Sequence, residues 1–255
     1  MNWAFSLDIL KLALYIGCAY AAFAIYVRYA QNSRMKVLAG KRLTVLTLLT
    51  LLIVGVKIFE DVLSKESGPV DTAVLWFVKH RVGPGMLDFF GAVTWTGAAI
   101  ALVPATTLIT IGLLATHHRR EAFLLVISMA SGWAFTYVLK ALVNRPRPAL
   151  WSTSWYWGSS FPSGHTLSTA AFSTALAICA FRIWPSSRVL VLLIGILWTF
   201  LMGLSRLVLG VHWPTDVLAA VCVGVFISLS ISSMMDIYSN NQLPHENFSG
   251  VRPPA

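Results

Sequence analysis

The run VLVLLIGILWTFLMGLSRLV, residues 189–208, carries the pattern that decides the fold. Its only charged residue is Arg206. About 20 consecutive apolar residues are enough for one α-helix to cross the hydrocarbon core of a bilayer. The run therefore predicts a transmembrane helix.

Six further runs of the same kind are found along the chain. Their approximate bounds are 9–30, 43–63, 88–115, 121–143, 165–184 and 213–235. The run 88–115 is longer than one span needs, and Pro104 inside it predicts a tilt or a kink. The alternating ten-residue segments of a transmembrane β-barrel are not seen, so all seven spans are predicted to be helices.

The composition agrees with a membrane protein. Of the 255 residues, 57% are hydrophobic and 11% charged, with a mean hydropathy of +0.72, whereas soluble domains carry about a quarter charged residues. Disorder is excluded because a disordered chain needs low hydrophobicity and high charge. The formal charge of +9 is attributed to a membrane surface, and no nucleic-acid partner is expected. Cys18, Cys179 and Cys222 lack metal-ligand spacing, so neither a zinc site nor a disulfide framework is predicted.

Lys and Arg in the short loops predict the orientation of the spans. The basic residues around the first, third and fifth loops share one side, which the positive-inside rule assigns to the cytoplasm. These residues are Arg28, Arg34, Lys36, Lys41, Arg42, Arg119, Arg120, Arg182 and Arg188. The N-terminus is then outside and the C-terminus inside. Because no basic residue precedes the first run, an uncleaved span is favoured over a signal peptide.

Three polar segments interrupt the apolar pattern at the ends of spans. They are KALVNRPRP at 140–148, PSGH at 162–165 and SRLVLGVHWPTD at 205–216. Ionisable residues in such places are either snorkelling anchors or parts of a functional site. On the predicted topology all three segments lie at the outer membrane face, and this agreement favours a functional site.

The polar residues of these segments suit a multiply charged anion. Lys140, Arg147 and Arg206 supply three cations, of which the arginines offer a planar fork that matches phosphate oxygens. Ser163 and Gly164 precede a predicted helix, whose N-terminal N–H groups form a phosphate cradle, and glycine permits close approach of the backbone. These five residues are predicted to bind phosphate.

Two histidines and one carboxylate are the candidate catalytic groups. His165 and His212 can divide the roles of acid and nucleophile. Asp216, four residues after His212, can accept the Nδ1 proton and leave Nε2 free to attack. Phosphoryl transfer needs chiefly positioning and charge stabilisation. No metal and no cofactor is therefore predicted.

Taken together, the three segments resemble the motifs of the type 2 phosphatidic acid phosphatase superfamily, which includes glucose-6-phosphatase and the vanadium haloperoxidases. Lysine, six residues and Arg-Pro are followed by Pro-Ser-Gly-His, and then by Ser-Arg, five residues, His, three residues and Asp. The resemblance implies that His212 forms a phosphohistidine, that Asp216 orients it and that His165 protonates the leaving group. Arg145 does not fit the family spacing and is expected to be at best a neighbouring anion contact.

The resemblance also implies a core of six helices. The predicted fold is an all-α, polytopic membrane bundle with a lipid phosphatase core at 43–238. An extra N-terminal transmembrane helix and cytoplasmic loop precede it at 1–42, and a disordered tail follows at 239–255. The expected location is the cell inner membrane, with the site facing the periplasm or exterior. The oligomeric state is open.

The predicted function is a membrane lipid phosphatase that hydrolyses a lipid phosphate monoester or pyrophosphate. A phosphotransferase that passes the phosphoryl group to a second lipid fits the same motifs. A lipid transporter is disfavoured, because transport sites lie near the membrane midplane. The motifs do not choose among phosphatidate, phosphatidylglycerophosphate, undecaprenyl pyrophosphate and lipid A as the substrate.

Three other features have simpler interpretations. Lys57, Glu60 and Asp61 share one helix face, which predicts a local ion pair, with a supporting role at the site as the alternative. The aromatic residues of 151–157 are interpreted as an interface belt, with a wall for a lipid tail as the alternative. The segment 70–87 is predicted to form a helix in the membrane interface, without a readable function.

Overall fold

The computed structural model describes residues 3–29, 40–148 and 158–240. This part of the chain forms nine α-helices and no β-strand, which confirms the all-α prediction. The helices are α1 (Trp3–Arg28), α2 (Arg42–Leu63), α3 (Gly68–Lys79), α4 (Pro84–Thr96), α5 (Ala99–Ala115), α6 (Arg119–Val143), α7 (Gly164–Ile183), α8 (Arg188–Val208) and α9 (Pro214–Asn240). The aromatic segment 151–157 and the tail from residue 241 lie outside the described residues.

Six of these helices are long and apolar enough to cross a membrane, namely α1, α2, α6, α7, α8 and α9. Helices α4 and α5 pass the same test only as a pair, which is bent by 41°. Counting the pair as one span gives seven, the number of hydrophobic runs in the sequence. The chain is therefore a multi-pass membrane protein.

The long third span does bend, but the break lies at Gly97 and Ala98. Pro104, at which a kink was expected, lies inside the continuous helix α5. A Cβ atom added to Gly97 would lie 2.4 Å from Cε of Met202 and 2.7 Å from Oγ1 of Thr169. A side chain at residue 97 would clash with α7 and α8, which explains why the residue at the break is a glycine.

Helix α7 lies at the centre of the bundle, where it contacts α6, α8 and α9. Small residues let the neighbouring backbones come close, as is usual between helices in membranes. Gly132 of α6, Gly195 of α8 and Gly224 of α9 all face α7, and Ser228 of α9 donates a hydrogen bond to the carbonyl oxygen of Ala171. This packing holds α6, α8 and α9 closely against α7.

Gly224 offers a direct test of that packing. A Cβ atom there would lie 2.6 Å from the carbonyl oxygen of Leu167 and 2.8 Å from Cβ of Ala170. We expect Gly224→Ala to lower the free energy of unfolding by about 1–3 kcal/mol, because α7 and α9 must separate. Thermal unfolding in detergent measures the effect. Gly112→Ala is the matched control, since no atom lies within 4 Å of its added Cβ; equal losses in the two variants would contradict the prediction.

An ion-pair network holds the end of the bundle opposite the three motifs. Asp236, near the end of α9, accepts hydrogen bonds from Lys41 and, at 2.9 Å, from Arg182. Arg182 also lies 3.8 Å from Oε1 of Glu121. The network connects the starts of α2 and α6 to the ends of α7 and α9.

Helix α1 packs against α2 at the edge of the bundle. The two helices share a hydrogen bond of 2.7 Å between Tyr20 and Thr50. The local ion pair expected within α2 is present, because Nζ of Lys57 lies 2.7 Å from Oδ1 of Asp61 and 3.6 Å from Oε2 of Glu60.

Candidate active site

The three motif segments meet at one end of the bundle. Lys140 and Arg206 lie in the last turns of α6 and α8. His165 and Asp216 lie in the first turns of α7 and α9, and His212 lies in the loop that connects α8 to α9. Since α6 and α8 end where α7 and α9 begin, residues far apart in the sequence become neighbours.

The ionisable side chains of this cluster are close enough to act on one another. The ionisable groups that act electrostatically on His165 are Lys140, Arg147, Arg206 and His212. Nη1 of Arg147 lies 3.4 Å from Nε2 of His212. Five of the side chains singled out in the sequence therefore lie at the same end of the bundle.

Neutral oxygens orient the three cations. Lys140 donates to the carbonyl oxygen of Ser159, and Arg147 donates to that of Val211 at 2.9 Å. Arg206 is 1% exposed and donates to the hydroxyl of Thr94 in α4. In these contacts the acceptor carries no charge, so each contact directs the cation without cancelling its charge.

His212 is buried with its two ring nitrogens in different surroundings. Nδ1 lies 3.4 Å from Oδ2 of Asp216, which is long for a hydrogen bond but leaves the carboxylate facing that nitrogen. The same oxygen accepts the backbone N–H of Trp213 at 2.9 Å. Nε2 faces Arg147 instead.

Burial sets the protonation state of His212. It lowers the pKa of the ring from 6.5 to about 4, because the charged imidazolium loses its hydration. The contact with Asp216 opposes the shift, whereas Arg206 and Arg147 add to it. The imidazole is therefore neutral at pH 7, and a neutral ring with its proton on Nδ1 has a lone pair at Nε2.

The start of α7 has the features of an anion cradle. The hydroxyl of the buried Ser163 lies 3.0 Å from the hydroxyl of Thr166. The backbone N–H of Ser163 donates to the carbonyl oxygen of Asp216 at 3.2 Å. A Cβ atom on Gly164 would lie 3.3 Å from Cγ2 of Thr136. The first N–H groups of a helix have no partner within it and carry a partial positive charge, which suits a phosphate.

Arg145, which does not fit the family spacing, pairs with two carboxylates. Its Nη1 donates to Oδ1 of Asp216 at 2.6 Å, and its Nη2 donates to Oδ2 of Asp71 at 2.6 Å. Two carboxylates thus match the charge of this guanidinium, which was expected to be at best a neighbouring anion contact.

Two residues at the site could not be identified from the sequence. Asp71 lies in α3, within the segment that had no readable function, and Thr94 lies in α4. A lone acid in the first turn of an apolar helix was the only signal for Asp71, and a threonine inside an apolar run gave none for Thr94. Among the described residues, no cluster of three or more His, Cys, Asp or Glu side chains could hold a metal ion.

Parts of the chain are similar to a known protein family and to curated proteins. Residues 121–238 match the model of the PAP2 superfamily. Phosphatidylglycerophosphatase B of Bacillus subtilis (strain 168) is 26% identical over 148 residues, which cover 56% of this chain and 72% of that protein. Lipid A 1-phosphatase of Rhizobium etli is 31% identical over 130 residues, which cover 44% of this chain and about half (53%) of that protein.

A solved structure shows the same fold. The transmembrane PAP2 type phosphatidylglycerolphosphate phosphatase from Bacillus subtilis superposes with a TM-score of 0.70 at 22% identity, over 74% of this chain and 96% of that one. All three motif segments, 140–216, fall within the residues that match the family model. The resemblance seen in the motifs is thus confirmed, because residues 121–238 match the model of the PAP2 superfamily.

Proposed function

We propose that this chain is a membrane lipid phosphatase, which hydrolyses a lipid phosphate monoester or pyrophosphate through a phosphohistidine at His212. One observation carries the proposal. His212 is a buried imidazole whose Nδ1 faces Asp216 and whose Nε2 faces Arg147, and Lys140 and Arg206 lie at the helix ends on the same side of the bundle. The names of the relatives, which are phosphatases of lipid phosphates, support the same chemistry.

In the first step, Nε2 of His212 attacks phosphorus in line with the leaving oxygen. A P–N bond forms while the P–O bond to the lipid breaks, and His165 donates a proton to the departing oxygen. Asp216 stabilises the positive charge that develops on the imidazole ring. The three cations and the N-terminus of α7 stabilise the charge on the equatorial oxygens of the phosphoryl group.

In the second step, water attacks the phosphohistidine. His165 now accepts a proton from that water, the P–N bond breaks, and inorganic phosphate leaves with His212 restored. The apolar surroundings of a site at a membrane face strengthen each of these electrostatic contacts. Neither step uses a metal ion.

Phosphate release from defined lipids tests the proposed function. The purified protein in detergent is given phosphatidate, phosphatidylglycerophosphate, undecaprenyl pyrophosphate and lipid A, with and without excess chelator. We expect release from at least one of the four lipids, at a rate that chelation does not change. Release from none would contradict the proposal. Phosphate that appears only on an added acceptor lipid would identify a phosphotransferase instead.

We also propose that the site faces the periplasm or exterior, as the loop charges predict. Ser64 is exposed in the turn between α2 and α3, beside the site, and Thr116 is exposed at the opposite end. In a background with Cys18 replaced by serine, we expect an impermeant thiol reagent to label Ser64→Cys in intact cells. Thr116→Cys is expected to react only after permeabilisation. The reverse pattern would overturn this orientation.

A further inference from the structure

The buried charges at the site extend beyond the three motifs. Arg145 lies between Asp216 and Asp71, with a distance of 2.6 Å to each carboxylate. Both carboxylates are fully buried, and the side chain of Arg145 is 12% exposed. The guanidinium also donates to Ser67 at 3.2 Å and to Thr215 at 2.8 Å.

Asp71 binds the start of α9 as well as Arg145. Its carboxylate accepts the backbone N–H of Thr215 at 3.0 Å and the hydroxyl of the same residue at 2.7 Å. The N–H groups in the first turn of a helix lack partners within it, and a negative charge beside them is favourable. Asp71 therefore links α3 to the start of α9, the helix that follows His212 in the chain.

Stability alone is a poor explanation for such a group. Taking three charges out of water costs free energy that their mutual attraction only roughly repays, and well-packed apolar residues often serve stability equally well. The three charged side chains instead fix the position of Asp216. Arg145 donates a hydrogen bond to Oδ1 of Asp216. The backbone N–H of Trp213 donates to Oδ2, the oxygen that faces Nδ1 of His212.

We propose that Asp71 and Arg145 are positioning residues of the phosphoryl-transfer site, which act through Asp216 on His212. Helix α3 is then part of the active site and not only a connection between spans. This inference rests on the proposed function and extends it to Asp71, which lies outside the motif segments, and to Arg145, which holds a variable position of the first motif. Without the charge of Asp71, Arg145 loses one of its two anchors, and the carboxylate that orients His212 is free to shift.

The kinetic test compares Asp71→Asn with Asp236→Asn. Asp236 is the matched control, because it also receives two cations but lies at the opposite end of the bundle. A displacement of about 1 Å at a reacting group can cost roughly 100-fold in rate. For Asp71→Asn we expect kcat to fall by about 10- to 100-fold, with KM within about twofold of the wild type. Asp236→Asn is expected to keep the kcat of the wild type.

A second readout does not depend on turnover. In protein with isotope-labelled histidine, the imidazole resonances of His212 are assigned by their loss in His212→Gln. We expect Asp71→Asn to move these resonances and Asp236→Asn to leave them in place. Ser67→Ala removes one hydrogen bond from Arg145 and keeps all three charges. This variant replaces Asp71→Asn in the test if Asp71→Asn does not fold. It is expected to move the same resonances by less.

The outcomes separate this inference from the proposed function. Unchanged His212 resonances and unchanged kcat in Asp71→Asn would overturn the positioning role. So would an equal loss of kcat in Asp236→Asn, because that result indicates a general loss of stability. Movement of the His212 resonances in a protein that releases no phosphate from any of the four lipids would support the positioning role and refute the phosphatase.

Discussion

Replacing His212 by alanine is expected to abolish phosphate release, with a loss of at least about 10³-fold in kcat. The P–N bond of the proposed intermediate cannot form without the imidazole. Water would then have to attack the lipid phosphate directly, at a site that still binds the phosphate but has lost its nucleophile. The assay is phosphate release from the preferred lipid under saturating conditions.

The fold of the His212→Ala variant should stay nearly intact. His212 lies in a loop, and the contact of its ring with Asp216 is long. We therefore expect the same helical content and a melting temperature close to that of the wild type. His118→Ala, which removes a histidine at the opposite end of the bundle, is expected to retain full activity. If His212→Ala kept a tenth or more of the wild-type rate, His212 would not be the nucleophile.

Arg206→Met is expected to lower kcat by about 10²- to 10³-fold, the range for removal of a preorganised donor to a transition-state oxyanion. Arg206 is buried and directed by the hydroxyl of Thr94, so its position is set before a substrate binds. Methionine keeps much of the side-chain volume and carries no charge. The loss should therefore report on charge stabilisation rather than on folding.

The matched control is Arg188→Met, which makes the same substitution at the other end of α8. The guanidinium of Arg188 lies over the ring of Phe181, 5.6 Å from its centroid, and away from the motif residues. Steady-state kinetics and thermal unfolding of both variants complete the test. Equal kinetic effects at the two ends of α8, or a loss only in the melting temperature of Arg206→Met, would contradict the role assigned to Arg206.

The helices were predictable because a bilayer imposes one simple requirement on each span. The run at 189–208 differs from α8 by a single residue at its start. The break near Gly97 was not predictable in the same way. The need for a glycine there comes from Met202 and Thr169, which belong to helices far along the chain, whereas Pro104 is a local signal that produces no break here.

The convergence of the motif residues was predictable because antiparallel spans bring alternate loops to one face. His165, Arg206 and His212 all follow from that geometry. The residues that orient these side chains could not be predicted. Nothing in the sequence marks Thr94, in the bent pair of helices α4 and α5, as the partner of Arg206. Arg145 shows the same limit: the family spacing selects Arg147 over Arg145, but only the fold shows that Arg145 pairs with Asp71 and Asp216.

Direct detection of the phosphoenzyme tests the central claim that His212 takes the phosphoryl group. The protein is mixed with a lipid phosphate that carries radioactive phosphorus, and the first turnover is stopped in alkaline detergent at a series of times. The account predicts a protein-bound label that is stable in alkali, lost in acid, located on the peptide that contains His212, and absent from His212→Ala. Release of phosphate in the first turnover with no such label at any time would contradict it.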